Sequence, residues 1–242
     1  MSDDLYGPCC GDSGAELTPD LGEPEAGLSR RSVLRGGAVA GAVLLSTGGT
    51  LLNASPALAV DRPTIYTTGD WNAQPPKEPI DVINRRPTKL IIHHTASANS
   101  TDYSRAHAFQ LARNIQQWHF NRGWRDSGQQ FTISRGGHIM VGRHRSLPAL
   151  IDGNKHVIGA HCTGQNEVAV GIENEGNYMN VQIRDEHYRK LVRMCAFICQ
   201  KYGIPPRNIK GHRDFVATLC PGDRLYARLP RLRDDVRALL NA

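Results

Sequence analysis

The sequence has no undiluted aliphatic run of the length a bilayer requires. Its long uncharged stretch, residues 36–59, is thinned by Gly36, Gly37, Gly41, Gly48, Gly49, Ser46, Thr47 and Thr50. Such a composition argues against a Leu-rich spanning helix and favours a removable signal over a retained anchor. There is no internal repeat and no sign of a second domain, so the 242 residues call for a single core. Cysteine is scarce: of six, Cys9 and Cys10 lie near the N-terminus, leaving Cys162, Cys195, Cys199 and Cys220. If Cys220 serves as a ligand, the odd remainder does not make a disulfide framework. Cys195 and Cys199 stand among apolar residues of an expected helix, where a buried thiol is the simplest reading. A bridge from Cys162 to either stays open. Acidic residues also run short. Residues 1–59 hold seven acids and three bases, and without them 26 Lys+Arg face 16 Asp+Glu, a net charge of +10 in place of +6.

What is present begins with Ser29-Arg30-Arg31-Ser32-Val33-Leu34-Arg35, followed by the uncharged stretch and by Ala57-Leu58-Ala59. Paired arginines, an apolar middle and an A-x-A ending resemble a twin-arginine export signal. Residues 1–28 are rich in Gly, Pro, Asp and Glu without periodicity, as in a disordered leader. Export of a basic chain directs it toward anionic surfaces such as a bacterial wall, and argues against nucleic acid, the other usual partner of such charge. The organisation expected is a leader and signal over 1–59, an extended approach segment over 60–85 with Asp70-Trp71-Asn72 as a docking element, and one domain over 86–242.

Within that domain, residues 89–95 read as a short buried strand around Ile91 and Ile92. Thr101 or Asp102 is placed to cap a helix whose positions Phe109, Leu111, Ala112, Ile115 and Trp118 keep a 3.6 period until Gly123. Residues 131–134 and 138–141 read as two strands about the turn Arg135-Gly136-Gly137, and 168–175 as another strand. The strongest helix is Asp185–Tyr202, with Tyr188, Leu191, Val192, Cys195, Ile198, Cys199 and Tyr202 on one face and Gly203 ending it. Residues 231–240 read as a short closing helix. Strands mixed with helices predict an α/β (α+β) domain with a central mixed sheet, its site at the strand ends.

The stretch Gly211-His212-Arg213-Asp214-Phe215-Val216-Ala217-Thr218-Leu219-Cys220-Pro221-Gly222 holds an imidazole and a thiol eight positions apart, on a segment broken by Pro221 and Gly222. Both can turn back onto one metal ion. A third ligand is expected from His93-His94, because catalytic zinc takes three protein ligands and leaves a position for water. Side chains of a strand alternate between faces, so only one of the two can face the metal. Spacing alone does not choose between them.

Four segments in this order resemble the zinc amidases of the peptidoglycan-recognition and phage-lysozyme amidase superfamily (amidase type 2). They are Ile91-Ile92-His93-His94-Thr95-Ala96, Gly123-Trp124-Arg125-Asp126-Ser127-Gly128-Gln129-Gln130-Phe131, Gly159-Ala160-His161, and Gly211-His212-Arg213-Asp214 running to Cys220-Pro221-Gly222. The resemblance covers about residues 86–240. It implies an N-acetylmuramoyl-L-alanine amidase, with Zn2+ held by His93, His212 and Cys220 and with peptidoglycan as partner. His94 then faces away. Trp124 and His161 are implied near the substrate, with a structural role the alternative for His161. Thr218 matches the position of an oxyanion donor. Where many recognition-type members carry a tyrosine thought to activate water, this chain has Gln129, which cannot act as a base. Gly171-Ile172-Glu173-Asn174-Glu175-Gly176 resembles instead the strand of the cytoplasmic recycling amidases, whose first glutamate is the base, so Glu173 takes that role and Glu175 is its understudy. A carboxyl used this way works best with a raised pKa, which partial burial supplies. Asp214 is placed either to orient a ligand histidine or to cap a turn or pair with Arg213. Non-catalytic members of the superfamily usually lack the cysteine, so Cys220 favours the enzyme over a binding protein, and a stem-peptide endopeptidase is a further alternative. A monomer is expected, with no stable membrane insertion after signal cleavage.

Overall fold

The structure is a computed structural model and describes residues 60–242; the leader, twin-arginine signal and cleavage site expected from the sequence lie outside the described residues. Six strands form one sheet: β1 (Ile65–Tyr66), β3 (Lys89–His94), β4 (Phe131–Ile133), β5 (Ile139–Val141), β7 (Ala169–Asn174) and β8 (Ile209–Gly211). Their order is β1-β5-β4-β7-β3-β8. Only β4 and β5 run antiparallel, as a hairpin; every other neighbouring pair is parallel. A separate pair joins β2 (Val82–Ile83) to β6 (His156–Val157). This is the mixed central sheet that the sequence predicts, flanked by four helices.

The inner strands are apolar on both faces because both are covered. On one face Leu90, Ile92, Val170, Ile172, Phe131 and Ile133 share a core with α3 (Asp185–Tyr202) and α4 (Asp223–Leu240). On the other, Met140 packs with Ala108 and Ala112 of α1 (Arg105–Asn121) and with Trp71. Trp71 is fully buried and donates from Nε1 to the Val141 carbonyl at 2.9 Å. The approach segment is thus part of the packed body: it adds β1 to the sheet edge, docks Trp71 beneath α1 and supplies β2.

Several boundaries differ from expectation. Ser104 caps α1, accepting from the His107 N–H at 3.1 Å, while Asp102 caps one step earlier by accepting from Ser104. The buried stripe of α1 takes in Gln116 and His119 and leaves Trp118 part-exposed, because both polar groups have internal partners. Helix α4 begins at Asp223, eight residues before the expected start at 231, and passes through Pro230. Its apolar face of Leu225, Leu229, Leu232 and Val236 is buried against the core, and that burial outweighs the donor missing at the proline. A short helix, α2 (Ser146–Asp152), has no counterpart in the sequence reading.

Candidate metal centre

Parallel pairing places His93 of β3 beside Glu173 of β7, and Glu173 beside Thr132 of β4. Register partners share a face, so these three project together, on the side of the sheet opposite α3 and α4. His94 projects the other way, where its Nδ1 accepts from the Tyr178 N–H at 3.2 Å and its ring stacks on Tyr178.

After β8 the chain makes a tight turn over His212–Asp214 and loops back to Cys220. The ligand atoms of His93, His212 and Cys220 lie within 4.8 Å of one another, and all three residues are buried. Cys220 Sγ is 3.7 Å from His93 Nδ1, and the His93 and His212 rings are 4.5 Å apart. Two tetrahedral zinc ligands, one sulfur and one nitrogen, sit roughly 3.5 Å apart, so the donor set and its spacing fit zinc. The backbone N–H of His94 points at Cys220 Sγ (3.4 Å), a contact that suits a thiolate.

His161 is 3 % exposed and stands behind His93. Its Nε2 contacts the Ala169 carbonyl at 3.2 Å and its Nδ1 faces His93 Nε2 at 3.1 Å. A carbonyl only accepts, so Nε2 of His161 carries hydrogen; burial lowers the His161 pKa to about 3, so the ring is neutral and Nδ1 is bare. His93 must then donate from Nε2, which leaves its Nδ1 lone pair facing Cys220. Burial, followed by the neighbouring His212, His161 and His94, likewise holds His93 well below the usual histidine range. Room for the His161 ring comes from Gly171, where a Cβ would lie 2.7 Å from the ring carbons. Both ring nitrogens of His161 are engaged inside the protein, so the ring is placed to orient the candidate ligand His93 and does not line an open surface.

Glu173 is 5 % exposed. Glu175, the understudy, is bound elsewhere: one carboxylate oxygen meets His107 Nε2 of α1 at 2.6 Å and the other accepts from the Arg135 N–H at 2.7 Å. Gln129 is buried and donates from Nε2 to Thr132 Oγ1 at 2.8 Å. Thr218 Oγ1 accepts from the Cys220 N–H at 3.2 Å, which leaves its own hydrogen to give away. Asp214 caps its turn, accepting from the Gly211 N–H at 2.9 Å and from the Tyr226 hydroxyl. Trp124 is half-buried and stacks on His119, ring centres 4.6 Å apart, packing over Gly128.

Sequence reasoning missed the network that holds residues 123–131. The buried Asp126 accepts from Gln116 Nε2 at 2.9 Å and from the His144 N–H at 2.7 Å, and its second contact with His144, at Nδ1, is 2.9 Å. These hydrogen bonds keep its carboxyl below the ordinary aspartate value against the opposing effect of burial. A carboxylate beside a tryptophan at a helix end gave no sign of an internal role, since its partners lie 10 and 18 residues away.

Comparison with known proteins agrees with this geometry. A family model described as N-acetylmuramoyl-L-alanine amidase matches residues 83–223. Peptidoglycan recognition protein 1 of Bos indicus is 32% identical over 172 residues, spanning 69% of this chain and 83% of its own. The N-acetylmuramoyl-L-alanine amidase of Homo sapiens is 28% identical over 169 residues, but the match spans only 27% of that longer protein. A point mutant of Drosophila PGRP-LB, solved in complex with tracheal cytotoxin, superposes with a TM-score of 0.59 at 30% identity over 68% of this chain and 92% of that one.

Proposed function

The chain belongs to the N-acetylmuramoyl-L-alanine amidase (amidase type 2) family, and on that footing we propose that it is an exported zinc hydrolase cutting the amide between N-acetylmuramic acid and the L-alanine of peptidoglycan. The observation that carries this reading is the buried trio His93, His212 and Cys220, within 4.8 Å of one another, with Glu173 in register beside His93. His93, His212 and Cys220 would hold the zinc, which when bound would supply a Lewis acid and lower the pKa of a water to about 7.

The chain's own groups do the rest. Glu173 takes a proton from the water that attacks the lactyl amide carbonyl and returns it to the departing alanine nitrogen. Thr218, its hydroxyl oxygen already accepting from Cys220, donates to the oxyanion of the tetrahedral intermediate. Gln129 spends its amide on Thr132, which supports Glu173 as the proton acceptor in a chain without the tyrosine. Trp124 contributes to the substrate-facing wall. Export by the twin-arginine machinery toward the wall rests on Arg30, Arg31 and Ala57-Leu58-Ala59, and its basic surface suits an anionic wall.

A second reading, a peptidoglycan-binding protein without activity, draws on the likeness to recognition proteins. The deciding experiment incubates the full chain with purified peptidoglycan and measures zinc content and newly exposed amino termini for wild type, Cys220→Ala and Glu173→Gln. About one zinc per chain and new N-terminal alanine are expected from wild type, metal loss from Cys220→Ala, and a rate lower by about 10²–10⁴ with zinc retained from Glu173→Gln. Wall binding without release favours the recognition protein, and an amino terminus other than alanine favours a stem-peptide endopeptidase.

A further inference from the structure

Arg213 sits between two of the three candidate ligands in sequence and has no part in the chemistry above. Its backbone and side chain nevertheless converge on the return of the loop that delivers Cys220. The Arg213 N–H donates to the Cys220 carbonyl at 3.1 Å, and its Nε reaches the same oxygen at 3.4 Å. One terminal nitrogen donates to the Leu219 carbonyl, and the other to Asp223 Oδ1 at 2.8 Å. The guanidinium lies over the Tyr226 ring, 4.8 Å from its centre. The ring in turn is held by its hydroxyl on Asp214 and by contact with Gly211, where a Cβ would lie 2.7 Å from Tyr226 Cδ2.

We infer that Arg213 is a positioning residue for the metal centre, a clamp that fixes the backbone of Cys220 so that its sulfur meets His93 and His212. The inference rests on the zinc reading above. Its physical basis is the shape of the guanidinium, a planar fork whose donors reach two successive carbonyls and a carboxylate at once. An ammonium is a point charge on a flexible stem and cannot hold all three. Without the fork, the loop over residues 215–219 is anchored by fewer bonds, and Leu219, 65 % exposed, has little packing to replace them. The thiolate would then have to be ordered at the moment of metal binding.

The test is zinc affinity of the full chain, measured by competition with a chelator, for wild type, Arg213→Lys, Arg213→Met and Asp223→Asn, with circular dichroism as a check on folding. Groups that orient metal ligands typically alter affinity 10–100-fold. We expect a loss of about that size in Arg213→Met and Arg213→Lys and a smaller one in Asp223→Asn, together with a shifted sulfur-to-cobalt absorption band in the cobalt-loaded variants. Folded Arg213→Lys and Asp223→Asn proteins that bind zinc within about twofold of wild type, with an unchanged band, would overturn the clamp. Should both Arg213 variants fail to fold, Asp223→Asn decides by the same criterion, because it keeps the guanidinium and exchanges its charged outer anchor for a weaker, neutral amide oxygen. A wild-type chain that holds no zinc sinks the metal reading and the clamp with it, and that result is read without any variant.

Discussion

The imidazole of His161 spends one nitrogen on the Ala169 carbonyl and in doing so decides which nitrogen of His93 is free to bind a metal. Replacing it with phenylalanine keeps much of the volume and removes that control. His161→Phe is therefore expected to weaken zinc binding by about 10–100-fold while the protein stays folded, as checked by chelator competition; unchanged affinity would mean that the tautomer of His93 is set by other means. The candidate ligand types were legible in the sequence because an imidazole and a thiol lie eight positions apart on a segment broken just after the thiol by Pro221 and Gly222. The choice of His93 over His94 was not legible from alternation alone. It depends on which face the strand turns to the sheet, and that is fixed by apolar partners on β4, β7, α3 and α4. The role of His161 was hidden for a similar reason: the space for its ring is made by a glycine on another strand.

Among the elements, the long periodic ones were the legible ones. Helix α3 has the span its apolar stripe predicts, since seven apolar positions on one face leave a single way to bury them. The two-residue strands β1 and β2 have too few side chains to show a period, and they exist only because β5 and β6 offer partners. The first turns of helix α4 are hidden in the sequence because Pro230 has no donor for the turn behind it. That predicts a gain: Pro230→Ala should restore a hydrogen bond to the Tyr226 carbonyl and raise stability by about 1–2 kcal/mol, less than the full interior-proline penalty because losing the ring also frees the unfolded chain. Chemical denaturation with zinc content measured alongside is the check, and a lowered midpoint would show that the helix depends on its proline. The register of β3 on β7 was beyond the sequence too, although it sets His93 beside Glu173.

At the scale of the whole molecule, buried histidines couple stability to acid. Burial lowers His119 and His187 from 6.5 to about 3, and His156 to about 4. Each native pKa lies below the unfolded one, so the unfolded chain takes up protons first as pH falls. The stabilisation is whole above about pH 6.5 and is lost progressively toward pH 3–4. A fully buried histidine of this kind forfeits on the order of 2 kcal/mol between pH 6.5 and 5. The urea midpoint should therefore drop markedly over that interval, and less so in His187→Gln; a flat profile would contradict burial of neutral rings.

Cys162 packs with Ile91 and Ala169 on one face of the sheet, while Cys195 and Cys199 lie in the core on the other. Among the described residues no disulfide forms, and the sheet itself stands between Cys162 and either helix thiol. Oxidation cannot join them without taking the sheet apart. Among the described residues, then, the packing of Cys162 and of the two thiols of α3 does not depend on a bridge forming between them.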